Sequence, residues 1–171
     1  SFRWRVPGAS GEVTYFRNDI ADFVFTAPLT QEDFEARIDE FAERFPSRDV
    51  QDADTEEFPI IEYVGADSVL SGVEAHADLQ VAPRFLADVT FDYVRGTLKD
   101  SDEPLPRMPP LRFQAGLRYQ HNALQAGSEI RIVADQDRVY STETATSGYQ
   151  LLRFYGAYTL GRGKAAHTIT P

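Results

Sequence analysis

Three ionisable side chains stand at alternate positions in the stretch "GVEAHADLQV", residues 72–81: Glu74, His76 and Asp78. Imidazole and carboxylate are ligands for zinc and copper, and residues two apart on a β-strand share one face. Such neighbours are roughly 7 Å apart, so a metal ion held there needs further ligands from adjoining strands. The three are therefore weak candidate metal ligands; the structural reading is a solvated polar strip. His121, beside a turn signal, and His167, near the last residue, read as surface positions. Cysteine is absent, which excludes thiolate sites and disulfides.

Other chemistry finds less support. Ser128 with His121 lacks a nucleophile elbow or triad signature. The "GRG" of residues 161–163 lacks the strand–loop–helix setting of a phosphate loop and reads as a turn. In "PRMPP" (106–110) the prolines fix φ and remove backbone donors, a structural role ahead of a strand. No catalytic residue and no cofactor site is assigned, and the chain reads as non-enzymatic.

Charge is concentrated in one place. Residues 27–58 hold eleven acids against three arginines, −8 of the chain's formal −10. Within them "TQEDFEARIDEFAERF" sets Phe34, Ile38, Phe41 and Phe45 at helical spacing, with Thr30 as N-cap and Pro46 as terminator. This predicts one helix in a long loop, either a solvated acidic cover over a barrel rim or an electronegative mouth that concentrates cations. The same negative balance argues against a nucleic-acid partner.

The elements that must position these residues are strands. In "LRFQAGLRYQ" (111–120) Leu111, Phe113, Ala115, Leu117 and Tyr119 share one register, and Arg112, Gln114, Arg118 and Gln120 the other. Similar alternation occurs near 2–6, 12–25, 72–81, 85–98, 124–133, 149–160 and 164–170, giving about eight strands. The connections alternate too. Pro7–Gly11, Ala82–Arg84, Asn122–Ala123 and Gly161–Gly163 are short, whereas Ala27–Phe58, Lys99–Pro110 and Asp135–Gly148 are long. In an antiparallel meander this puts every long loop at one end, the construction of outer-membrane barrels.

No apolar run approaches the ~20 residues of a membrane helix, a test that β-barrels escape. Alternation alone does not separate an inward oily face from a lipid-facing one. Mixed charges in the polar register (Glu74, His76, Asp78, Asp88, Asp92, Arg112, Arg118, Glu129, Arg131) suit a wet lumen. Tyr15, Phe25, Phe85, Tyr93, Tyr119 and Tyr149 near strand ends suit interfacial girdles. Small apolar residues (Ala75, Ala77, Ala87, Ala115, Ala126) suit lipid better than a packed core. Lipid-facing is the favoured reading.

Three segments carry a family resemblance. "YFRNDIADFVF" (15–25), "DYVRGTLKDSDEPLPRMPPLRF" (92–113) and "DQDRVYSTETATSGYQLL" (135–152) resemble, in order and spacing, the C-terminal barrel half of TonB-dependent outer-membrane receptors, most like the zinc-uptake branch. The resemblance implies a fragment of a transmembrane β-barrel, since such barrels have 22 strands around an N-terminal plug. The expected fold is all-β: an antiparallel up-and-down meander of about eight strands, with plug and remaining strands absent from residues 1–171. It implies a bacterial outer-membrane receptor for active uptake of a scarce nutrient, a metal ion or a complex such as iron-siderophore. Expected partners are outer-membrane lipid, a TonB-type energy transducer acting through the plug, the small nutrient, and further copies of the fragment. The alternative is a small closed β-barrel binding protein, an eight-stranded outer-membrane or lipocalin-like carrier.

Overall fold

The computed structural model describes residues 1–46, 55, 60–162 and 165–169. One sheet holds eight strands in the spatial order of the chain, β1 (Phe2–Val6), β2 (Ala9–Pro28), β3 (Ile61–Ala82), β4 (Phe85–Leu98), β5 (Arg112–His121), β6 (Leu124–Val133), β7 (Tyr149–Arg162) and β8 (Ala165–Ile169). Every pair is antiparallel, and all long connections leave from one end, as the alternating loop lengths predict. Two-residue turns join β1 to β2, β3 to β4 and β5 to β6 at the other end; Gly8 and Asn122 take the positive φ, 78° and 51°, that tight hairpins need. The described sheet is open, with β1 and β8 as its edges, which does not fit the closed eight-stranded alternative.

The strand pairing fixes which side chains share a face. One set of rows is apolar: Ala75–Phe91–Phe113–Ile132, then Ala77–Val89–Ala115–Ile130–Leu152, then Leu79–Ala87–Leu117–Ser128–Phe154. Phe85, Tyr119 and Ala126 continue this face toward the turns, with the Phe85 and Tyr119 rings 5.1 Å apart. Between these rows, on the opposite face, lie the polar ones. The aromatic β7, whose phase is ambiguous in sequence, resolves by register: Leu152, Phe154 and Tyr158 join the apolar face, while Tyr149, Leu151 and Arg153 join the polar face. Tyr149 is therefore no part of a girdle on the apolar side.

β2 and β3 are far longer than the rest, 20 and 22 residues. β3 begins eleven residues ahead of the alternating run visible in the sequence. The reason is a bulge. Ile20 pairs with Ser68 and Phe23 with Ala66, so Ala21 and Asp22 together face the single Asp67, and Asp22 adopts φ 50°. One extra residue shifts the parity of everything beyond. Phe23 and Phe25, which the uninterrupted pattern assigns to the apolar face, turn instead onto the polar face. Phe25 is buried there, a correction to its expected girdle role.

The acidic loop forms two short helices rather than the single one expected, α1 (Gln31–Ala36) and α2 (Ile38–Arg44). The break falls at Arg37, whose φ of −115° leaves the helical region. Thr30 caps α1 by accepting from the Asp33 N–H at 3.1 Å. Phe34 and Phe41 are buried against Leu29, Ile38 and Ile60, a small core of the loop's own; Phe45 stays exposed. Arg37 meets Glu62 of β3 at 2.9 Å and Glu40 at 3.2 Å, and the bonds to Glu40 and then Glu62 hold its guanidinium more firmly protonated. Because β4 ends opposite Ser68, the helices sit at the tip of a two-stranded ribbon that runs about 25 Å past it. They do not lie over the rim of the sheet.

Candidate functional site

The polar face carries the site. Three of its rows are Thr14–Glu74–Asp92–Arg112, Glu12–His76–Thr90–Gln114–Arg131 and Ser10–Asp78–Asp88–Gly116–Glu129–Arg153. Glu74, His76 and Asp78 do share this face and are all exposed. The His76 Nε2 lies 3.0 Å from Asp78 Oδ2, and its Nδ1 lies 3.4 Å from the Thr90 hydroxyl. Both ring nitrogens are thus engaged by protein partners. Among the described residues no group of three or more histidine, aspartate or glutamate side chains is placed to hold a metal ion. His121 meets Asn122 at its turn and the Tyr119 ring, and the side chain of His167 lies outside the described residues. Ser128 is on the opposite face from the polar rows, four positions along the strands from His121, about 13 Å.

The rows divide by sign around the sheet, which the sequence pattern did not show. On β2–β4 the face presents Glu12, Glu74, Asp78, Asp88 and Asp92, with His76 as its imidazole. On β5–β7 it presents Arg112, Arg118, Arg131 and Arg153, with Glu129 as the single acid. Ion pairs form in both halves: Arg3 of β1, which shares this face, reaches Glu12 at 2.8 Å, and Arg153 and Arg131 reach Glu129 at 2.9 and 4.0 Å. Arg112 and Asp92, 3.9 Å apart, bridge the seam. Charges on one strip so arranged leave two oppositely signed patches rather than a neutral mosaic.

Toward the long loops the same face turns apolar. Above the Glu74 row come Phe16–Gly72–Val94, Asn18–Leu70–Gly96 and Ile20–Ser68–Leu98, then Phe23–Ala66 and Phe25–Val64. Loops 99–111 and 134–148 fold over this part. Phe25, Leu98, Leu105 and Tyr140 are buried together, with Met108 and Leu70 packed against them. Tyr140 meets the Phe25 ring edge-on at 5.5 Å. Gly96 is needed here, because a Cβ would come within 2.7 Å of both the Leu105 and Met108 side chains.

Polar groups hold the two loops to each other and to the wall. The Glu143 carboxylate accepts from the backbone N–H of Arg107 at 2.8 Å and of Tyr140 at 3.2 Å. Gln136 donates to the carbonyls of Met108 and Arg138. Arg138 donates to the Gly96 carbonyl at 2.8 Å and the Thr97 hydroxyl at 2.9 Å. All three resembling segments meet in this cluster: Phe25 from the first, Leu98, Leu105 and Met108 from the second, Tyr140 from the third.

The profile of the family described as TonB dependent receptor-like, beta-barrel, matches residues 1–169. The chain belongs to that family. Among solved structures it is similar to one titled "Copper transporter OprC", with a TM-score of 0.71 and 20% identity over 91% of this chain. It spans 22% of that transporter's length. No curated protein matches the chain by sequence.

The TonB-dependent receptor barrels reside in the outer membrane and serve transport rather than catalysis. In membrane barrels apolar side chains face outward and polar ones face the bore, and the two faces of this sheet match that inversion. On β4 the apolar face runs from Phe85 to Tyr93, nine residues whose eight steps cover about 27 Å along the strand. At the strand tilt of such barrels this is about 20 Å of height, close to their apolar band. Exposed Tyr15 and Tyr93, opposite Val73, mark its loop-side edge, and exposed Phe85 its turn-side edge.

Proposed function

We propose that the chain is a stretch of wall and extracellular loops in an outer-membrane receptor that imports a scarce nutrient, with a metal ion or metal complex as the substrate class. The observation that carries this is the two-faced sheet. A charged, water-accessible inner wall at membrane level backs a lipid-facing band, and ordered loops close over it on one side. Such a wall suits a bore that is occupied by something polar. In this reading the plug fills the bore, rests on the two signed strips, and passes the pull of a TonB-type transducer. The likeness to a copper transporter favours a metal, as do the acids of residues 27–58. Glu74, His76 and Asp78 serve as wetted bore lining rather than a metal centre.

The test is uptake by cells with and without the full receptor gene, using radioactive zinc, copper and iron-siderophore. Loss of uptake of one of these, and equal loss when the proton-motive force is collapsed, is expected. Unchanged uptake of all three in the deleted strain would refute the substrate class. Expressed by itself, this segment has two open strand edges and an uncovered apolar face, so it should self-associate. A monodisperse monomer in sedimentation, free of detergent, would contradict that.

A further inference from the structure

The lipid-facing surface changes character at one level. Tyr15–Val73–Tyr93 closes the apolar band, and the next outward row toward the loops is Arg17–Ser71–Arg95. Both arginines are exposed. Each is one strand from Ser71, so two guanidinium groups flank a hydroxyl with about 10 Å between their Cα atoms. Arg17 donates to Asp19 at 3.2 Å, and Asp19 also meets Lys99 at 3.3 Å. Arg95 has no ion pair or hydrogen bond from its side chain among the described residues. The acids on this surface, Asp19 and Asp67, stand one and two outward rows farther toward the loops. The two arginines are therefore the charges nearest the tyrosine row.

We propose that Arg17, Ser71 and Arg95 form a binding site for the phosphate of a lipid headgroup in the loop-side leaflet. Tyrosines settle at the headgroup boundary, so the row beyond them stands at phosphate depth. Guanidinium forks bind phosphate oxygens in pairs, and long arginine stems let both heads converge over Ser71. Lys99 adds a further positive charge, with Asp19 bridging it to Arg17 and keeping that pair oriented. A phosphate dissolved in water would forgo the apolar contact that the tyrosine row offers to an acyl chain, which favours the headgroup as the source. The inference rests on the outward face lying in the bilayer. A receptor that failed to insert would retain no lipid of any kind, which separates that failure from failure of the site.

The full receptor chain carrying this segment, purified in a neutral detergent, is titrated with phosphatidic acid, phosphatidylcholine or inorganic phosphate. Retained lipid is counted by native mass spectrometry. Phosphatidic acid should be retained in preference to phosphatidylcholine, and inorganic phosphate at equal concentration should not displace it. Arg17→Gln or Arg95→Gln should each weaken retention about fivefold and the pair about 30-fold. Arg95→Lys, which keeps the charge but loses the fork, should lose less than Arg95→Gln. Arg44→Gln, on the distant helix, should change nothing. Heat-modifiable migration on gels shows that each variant is a folded barrel. Equal retention of the two lipids, full retention by the double variant, or displacement by inorganic phosphate would overturn the proposal.

Discussion

Replacing Leu105 with alanine tests whether the two inward loops are one unit. Leu105 is 1% exposed and packs with Phe25, Leu98, Tyr140 and Met108, while its N–H donates to the Gly96 carbonyl at 3.2 Å. Truncating a buried leucine costs about 2–5 kcal/mol, depending on how far the site collapses. The surroundings have little freedom to collapse. Gly96 already brings the loop onto the β4 backbone, and Glu143 ties the Arg107 and Tyr140 N–H groups together. The lower figure, about 2 kcal/mol, corresponds to opening that is about 30-fold more frequent. Hydrogen exchange followed by mass spectrometry on the full receptor reads this directly. Amides in loop 99–111 should exchange at least that much faster, and so should those of loop 134–148, which contains no substitution. Acceleration confined to 99–111 would refute the coupling and reduce the shared cluster to incidental contact.

Three further outcomes are expected. Val89→Arg, in the middle row of the lipid face, should cost about 2–4 kcal/mol in urea unfolding of the barrel in bilayers, whereas Thr90→Arg, its neighbour on the wet face, should cost well under half of that; equal costs would mean the faces are assigned wrongly. Asp22→Gly should leave stability nearly unchanged because it tolerates the φ of 50°, while Asp22→Val should lose about 1–2 kcal/mol and weaken the near-ultraviolet signal of the Phe25–Tyr140 pair. Calorimetric titration of this segment with zinc should show only weak binding that His76→Ala leaves unchanged; tight binding abolished by His76→Ala would make the Glu74–His76–Asp78 strip a metal centre.

What could be read from residues alone was whatever depends on near neighbours in the chain. The period-two pattern of residues 111–120 survives as β5 because the same side of a strand always meets the same medium at membrane depth. Loop lengths gave the meander and its sidedness, since a two-residue turn forces antiparallel neighbours. The Thr30 cap was equally local. The resemblance of three segments pointed to the family that the profile match confirms.

Tertiary structure decided everything that depends on strands meeting across the sheet. The bulge at Ala21–Asp22 reversed the face of Phe23 and Phe25, and an extra residue leaves no periodic mark when both faces beyond it carry apolar side chains. The ribbon formed by Ile61–Asp67 and the end of β2 runs past the end of β4, where neither face is held to one medium, so its alternation is mixed. The helical loop breaks at Arg37, the residue that Glu62, 25 positions along the chain, holds from another element. The acidic and arginine strips of the bore, and the Arg17–Ser71–Arg95 row outside it, exist only because register aligns residues far apart in sequence. Residue identity set which charges the chain carries; strand pairing set which of them meet.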